Sequence, residues 1–550
     1  MTPQALDSNS THEFALASGE GCSRTRSIPW NTALFCGLII ATLIPLWACA
    51  HFPSQDGPSH AYAAVVEHDY NRPDRPKFRE FFVLNDRIVP NWICPHLLPL
   101  LAGAFSAEAA VKIILSAYLI VLPISVRYAL RSIRRRAADL AIAIFPFVPN
   151  FYYHEGFLDF CVAIPVFFIV IGYWFNHRRY WKPRHTLVLA ILLFICFLCH
   201  LVPTVLAGLF LVVLALLAGG GSMRDRLRRL APVILAGLPV ALLTLWFMLD
   251  QKGESVVSGY PYPTHLARLR ELFRFQKAFA SWESILAAAN LCLFAGVSAW
   301  LLWRRRGRRL IIGADALLLL AGLCAAAFML APDAGAGGSL LVVRLAMPPF
   351  LALLLWWGAQ PIGSAAFARL RLACTAVSTP VTILLLISTA ISYHKFAPYF
   401  LDMNAAVAHI EPNSTLMYTS LSSNQTLGPD GRLLSHGPDI FMHDACQQAG
   451  QRGIAIVNSM IAITSYQGIQ YRPNLNPGTD DLIEFTAHAN RIGKPIDYVL
   501  VWTGGAIPDN ANTRRIYQQL NDQYELVYVS PATGYARLYR HKRSVLISSN

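Results

Sequence analysis

The chain has 550 residues, of which 55% are hydrophobic and only 14% charged, and its mean hydropathy is +0.41. An ordinary soluble domain carries roughly 25% charged residues, so this composition excludes a disordered chain and a cytosolic enzyme and points to a polytopic membrane protein. The net charge of +14 would suit a nucleic-acid binder, but residues 394–550 carry twelve basic and twelve acidic side chains, so the whole excess lies in the first 393 residues, in short clusters between apolar runs.

In chain order, a polar tail (1–28) precedes a first apolar run that reads as an anchor and not as a cleaved signal. A spanning helix needs about 20 apolar residues. The candidate runs are 30–50, 107–130, 138–153, 157–175, 186–200, 202–219, 230–249, 284–303, 310–331, 341–358 and 372–393, about eleven spans, of which 138–153, 186–200 and 202–219 are short. Arg24 and Arg26 precede the first. Arg131–Arg136, Arg178–Arg184, Arg224–Arg229, Arg304–Arg309 and Arg369–Arg371 follow the second, fourth, sixth, eighth and tenth. Every cluster falls on one side if the N-terminus is cytoplasmic, and the odd count then carries residues 394–550 to the periplasmic side of the inner membrane. Residues 92–105 are too short to span and contain Pro95 and Pro99; a helix lying on the outer membrane surface is expected there. The eleven cysteines read as small apolar residues, and only Cys94 and Cys446 fall in outer segments where a disulfide could form.

The span interiors hold almost no ionisable groups, which counts against an ion-coupled transporter. The unusual residues gather in four outer segments. The long loop 52–106 opens with PSQDGPSHAY, which places Asp56 at the membrane–water boundary, followed by His60 and Tyr62. A carboxylate there is partly desolvated and suited to general-base work, although it also reads as the cap of the next helix. The turn YYHEGFLDF sets His154, Glu155 and Asp159 within six positions, either a solvated turn or a site for substrate or metal. The loop 250–283 carries Arg268, Arg270, Arg274 and Lys277, an outer basic group that fits an anionic ligand or lipid headgroups. The fourth segment, 331–350, is a glycine-rich turn running into a span that begins at Arg344, whose guanidinium can snorkel or grip a phosphate.

Asp56 in QDGPSHAY, PNWICPHLLPLLAGAFSAEAAVKI (90–113), FPFVPNFYYHEGFLDF (145–160) and GSLLVVRLAMPPFLALLL (338–355) together resemble the GT-C superfamily, the integral-membrane glycosyltransferases that use lipid-phosphate sugars. The resemblance is best over about the first 180 residues. It implies an all-α membrane domain over residues 29–393 followed by a small extracytoplasmic α/β domain over 394–550. It also implies transfer of a sugar from a polyprenyl-phosphate donor to a lipid, glycan or protein acceptor at the outer face, with no role for nucleic acid. In that frame Asp56 and Asp159 are the expected catalytic carboxylates. His60, Tyr62, His154, Glu155, Arg268, Arg270 and Arg344 are the expected substrate contacts, and a divalent metal near Asp159 or His154 is left open. The rival reading is a non-enzymatic transporter or a scaffold that displays the outer domain.

Within 394–550, STLMYTSL (414–421), DYVLVWTG (497–504), YELVYVS (524–530) and YARLYRH (535–541) read as strands, and 512–523 as a helix capped by Asn512. The segment 437–450, with Asp439, His443, Asp444 and Cys446, reads as a loop or helix surface, and the domain as a cover that recognises the acceptor.

Overall fold

The computed structural model describes residues 30–219, 221–250, 264–306 except 275 and 278, 312–335, 338–422, 426–477, and 489–542 except 491 and 506. The expected N-terminal tail with Arg24 and Arg26, the stretch 251–263, and Arg308 and Arg309 lie outside these residues.

Helix α1 (Trp30–Ala48) leads into a loop that opens helix α2 (Gly57–His68), with Asp56 at the N-cap. Pro58 lies in the first turn, where a missing N–H leaves no bond unmade. Helix α3 (Pro76–Phe81), strand β1 (Phe82–Leu84) and helix α4 (Ile93–Ala104) complete the loop. Helix α5 (Ala107–Ile133) is capped by Ser106, whose Oγ accepts from Ala109 N at 3.1 Å. The run expected as a third α-helical span is instead a 3₁₀ helix, Arg135–Phe147, buried from Ala137 onward except at Asp139, between α5 and the later helices. Its four alanines let neighbours approach closely, and its looser rise of about 2 Å per residue stretches 13 residues over about 26 Å. Apolar content alone does not separate this conformation from an α-helix.

Helix α6 (Phe151–Glu155) is a single turn before α7 (Leu158–His177), which packs along α5. Helices α8 (Pro183–Cys199), α9 (Leu201–Leu217), α10 (Met223–Asp250), α11 (His265–Arg274), α12 (Glu283–Arg304) and α13 (Ile312–Leu330) follow. Helices α14 (Leu341–Leu345) and α15 (Pro348–Ala359) form one rod broken before two prolines. Among the described residues eight helices are long and apolar enough to cross a membrane, and α4, α8 and α9 are shorter, so the expected count of about eleven is not confirmed. Two of the basic clusters, 131–136 and 369–371, meet at one end of the bundle. Arg134 and Arg136 bond to the carbonyls of Gln360 and Ile362, Arg371 lies 3.3 Å from Asp139, and Asn31 donates to the same carboxylate.

Helix α16 (Ser364–Ala408) runs 45 residues, about 68 Å at 1.5 Å per residue, and delivers the chain to a five-stranded sheet at the opposite end. The strands are β2 (Thr415–Ser420), β3 (Ala455–Ile456), β5 (Tyr498–Trp502), β6 (Tyr524–Val529) and β7 (Ala536–His541), in the order β3-β2-β5-β7-β6. β2 is parallel to both neighbours, and the β5–β7 and β7–β6 pairs are antiparallel. Strand β4 (Ile469–Tyr471) leaves this sheet and pairs antiparallel with β1 of the first loop, with Phe82 opposite Tyr471. Helices α17 (Ala445–Gln451) and α18 (Met460–Ile463) lie between β2 and β4, and α19 (Ala511–Gln523) is capped by Asn510, not Asn512: the Asn510 side chain accepts from Thr513 N at 2.9 Å. Cys94 and Cys446 are both buried and form no disulfide.

Candidate active site

The site begins with a local backbone problem. The Asn150 side chain caps α6, accepting from Tyr153 N at 3.1 Å while its own Nδ2 donates to Phe147 O at 2.7 Å. The turn then ends at Gly156 with φ of +86°, a left-handed conformation that glycine adopts without penalty. This turns the carbonyls of His154 and Glu155 toward the first loop, where they accept from Gln55 N at 3.1 Å and Asp56 N at 2.9 Å. A Cβ at Gly156 would stand 2.6 Å from Gly57 N, so the approach also requires glycine. Two loops about 100 residues apart in sequence are thereby fixed back to back, with Asp56 beside Glu155.

Asp56 makes no side-chain cap bond, so its carboxylate is not spent on the helix it precedes. Its side chain is 31% exposed. Desolvation raises its pKa from 3.8 to about 6, opposed by Arg344 and by a hydrogen bond from Gln55. Glu155 is 3% exposed, and its Oε2 has no hydrogen-bond partner. Burial, and then the charge of Asp56, push its pKa well above the usual range, while Arg274 and Arg344 pull the other way. Burial and the neighbouring Asp56 charge thus favour the protonated form of Glu155. Arg344 on α14 lies over the Phe157 ring at 4.2 Å, bonds to Ser339 O, and leaves Nε without a hydrogen bond. Tyr152 donates to Val343 O at 2.7 Å and so pins α14 to the Glu155 turn.

The C-terminal unit supplies the remaining wall. His443 Nε2 stands 3.8 Å from Asp56 Oδ1, and burial lowers its pKa to about 4, so it is a neutral imidazole. Asp439 N donates to Gln55 Oε1 at 3.0 Å, and the Asp439 charge acts on Glu155. The segment 437–450, read from sequence as surface, thus closes over the carboxylates. No periodicity or motif marks it; the pairing of Asp56 with His443 spans 387 positions. Arg274, on the basic helix α11, lies over Phe151 at 4.9 Å and acts on Glu155.

The other expected site residues go elsewhere. Asp159 Oδ1 accepts from Cys94 N at 3.0 Å and braces the start of α4. His154 is wholly buried, its Nδ1 3.1 Å from Asn150 O and its Nε2 3.1 Å from Tyr393 Oη. The Tyr62 hydroxyl donates to Ile454 O at 3.1 Å and accepts from Ile456 N at 2.9 Å, fastening α2 to the sheet. Arg268 donates to Phe328 O at 2.8 Å, tying α11 to α13, and Arg270 is exposed. His60 is buried next to His443 and lines a small separate cavity with Glu67. Among the described residues no three His, Cys, Asp or Glu side chains converge as a metal site would require.

No protein-family model and no curated protein matches the sequence. Among solved structures, ArnT from Cupriavidus metallidurans, bound to undecaprenyl phosphate, is 11% identical with a TM-score of 0.52 over 93% of this chain and 97% of that one. Two weaker likenesses are the oligosaccharyltransferase of Archaeoglobus fulgidus (11% identity, TM-score 0.45, 85% and 68% covered) and the arabinofuranosyltransferase AftD from Mycobacteria (13%, 0.46, 94% and 40%). In fold, across its membrane bundle and its terminal sheet, the chain resembles the GT-C class of membrane glycosyltransferases.

Proposed function

We propose that the chain is an inverting glycosyltransferase that moves a sugar from a polyprenyl-phosphate donor to a hydroxyl acceptor at the sheet-bearing end of the bundle, taken as the periplasmic face. The observation that carries this reading is the juxtaposition of Asp56, a carboxylate raised to about 6, with the half-buried guanidinium of Arg344 and the buried carboxyl of Glu155. ArnT, which shares the fold, was solved with undecaprenyl phosphate, and that lipid class suits an arginine at the mouth of apolar helices.

In this reading Asp56 takes the proton from the acceptor hydroxyl as its oxygen bonds to the anomeric carbon. The bond from that carbon to the phosphate oxygen breaks on the opposite face, and its electron pair leaves with the polyprenyl phosphate. Arg344 stabilises the charge gathering there, helped at longer range by Arg274. Neutral Glu155 donates a hydrogen bond to a sugar hydroxyl, which an ionised carboxylate cannot do. His443 closes the acceptor side and holds the Asp56 carboxylate without adding charge. The residues 394–550 act as a lid that selects the acceptor.

The test is to incubate purified full-length protein with several radiolabelled polyprenyl-phosphate sugars and follow donor consumption. Release of polyprenyl phosphate by the wild type and not by Asp56→Asn supports the reading. Equal release by both proteins rejects the role of Asp56, and no consumption of any donor rejects the activity.

A further inference from the structure

A second concavity lies at the far end of the bundle, independent of the function proposed above. Helix α7 starts beside Glu155 and runs 20 residues, so its other end lies about 30 Å from the carboxylates. There α7, α8 and α10 enclose a cleft of about 700 Å³, within the range of sites that hold a lipid-sized ligand. Its rim carries Arg178, Lys182, Arg228 and Arg229, and its walls include Trp174 and Trp181.

Two of these cations are fixed in place. Arg178 donates to Ala218 O at 3.0 Å, and Arg229 to Ala215 O and Gly219 O, both at 3.1 Å, at the C-terminal end of α9. Arg178 also lies over the rings of Trp174 and Phe175 at 5.4 and 5.2 Å. Burial, followed by repulsion from Arg179 and Arg229, lowers the Arg178 pKa to about 10, so the group stays charged at neutral pH in a crowd of like charges. An acid near the rim, Asp225, is 3.9 Å from Arg228 in a largely exposed pair, which neutralises little. Below the rim, Leu187 and Leu235 line the cleft and are each 64% exposed.

Four cations above an open apolar wall, with indole rings between, match one kind of molecule: phosphate at the rim and acyl chains along the leucines. We propose that this cleft is a binding site for an anionic diacyl phospholipid in the leaflet opposite the carboxylate cluster.

Native mass spectrometry of the full chain, delipidated in neutral detergent, tests this. Phosphatidylglycerol and phosphatidylcholine with identical chains are titrated separately. The first phosphatidylglycerol adduct is expected to form roughly tenfold more tightly, a headgroup attraction of about 1.4 kcal/mol. Equal affinity for the two lipids overturns the proposal without recourse to any variant. Lys182→Gln combined with Arg228→Gln, both exposed positions, should bring phosphatidylglycerol down to the phosphatidylcholine level. Arg184→Gln with Arg224→Gln, the same charge loss outside the cleft, should not; an equal loss there means diffuse surface attraction and rejects the site. Displacement of bound phosphatidylglycerol by glycerol phosphate at matched concentration would reassign the cleft to a free anion and reject the lipid.

Discussion

Asp56 and Glu108 are both carboxylates at the start of a helix, and both face the segment around α17, yet the fold treats them in opposite ways. Glu108 is saturated: it lies 3.3 Å from His51 Nδ1 and 3.3 Å from Lys112 Nζ, and it accepts from Gln447 Nε2 at 2.9 Å and Phe52 N at 3.2 Å. Among the described residues Asp56 has one ionisable neighbour within ion-pair range, a neutral imidazole 3.8 Å away, and beside it stand Glu155 Oε2 and Arg344 Nε without hydrogen bonds. Buried polar groups are almost always paired, so these two atoms differ from the Glu108 carboxylate in keeping bonding capacity to offer. The saturated network instead joins α5 to α17 and holds the C-terminal unit in place. The contrast separates a fastening from the chamber proposed above when residue type does not.

The largest test of that contrast is Asp56→Asn. Loss of a general base lowers kcat by about 10²–10⁴-fold, and because Asp56 makes no cap bond the melting temperature should stay close to wild type. A large drop in melting temperature would place Asp56 among the fastenings. Next in size is Arg344→Gln, with an expected loss of about 10²–10³-fold in donor consumption from the missing fixed cation. Arg344→Lys should recover only part of it, since an ammonium does not reproduce the planar fork. Full recovery in the lysine variant would mean that charge alone suffices.

The half of this contrast nearest the N-terminus was legible in the residues themselves. Asp56 follows an apolar run and a turn-forming Gly57–Pro58 pair, and Arg344 interrupts another run, so both declare their depth along the membrane normal. His154, Glu155 and Asp159 were legible only as a group. Which one faces Asp56 depends on the left-handed turn at Gly156 and on Cys94 N reaching Asp159, and neither is encoded in spacing. His443 and Asp439 carried no signal, because their placement follows from β4 pairing with β1 and from Tyr62 bonding to β3. The 3₁₀ helix Arg135–Phe147 was misread for a related reason: hydropathy reports burial and not helical rise.

On the fastening side, Glu108→Ala removes a partner from four groups at once. It should cost about 1–3 kcal/mol of stability, read by thermal or denaturant unfolding in detergent, with turnover per folded molecule nearly unchanged. A normal melt with lost turnover would move Glu108 into the chamber. A milder perturbation is pH. Asp56 must be ionised to accept a proton, so the rate should fall about tenfold per unit below an apparent pKa of about 6 and level off above it. Stability carries the opposite sign. A carboxylate raised from 3.8 to about 6 stabilises the fold most below 3.8, and that contribution is lost as pH rises through 6. An acid limb near 4 would mean that Asp56 is solvated as an ordinary surface carboxylate.

The smallest expected effect decides how Glu155 belongs to the chamber. Burial and the Asp56 charge favour its protonated form, and in that form it is close in shape and charge to glutamine. Glu155→Gln should therefore change donor consumption by no more than about threefold and leave the acid limb near 6, since a neutral group exerts no field on Asp56 to lose. Glu155→Ala removes the donor and should cost more. If Glu155→Gln matched Asp56→Asn in its loss, Glu155 would be an ionised group in the working protein, and the proton would have to be shared between two carboxylates. The pH profile distinguishes that outcome. A shared proton gives two apparent pKa values for the pair, one of which disappears in each single variant, whereas a lone base at Asp56 gives one value that survives Glu155→Gln.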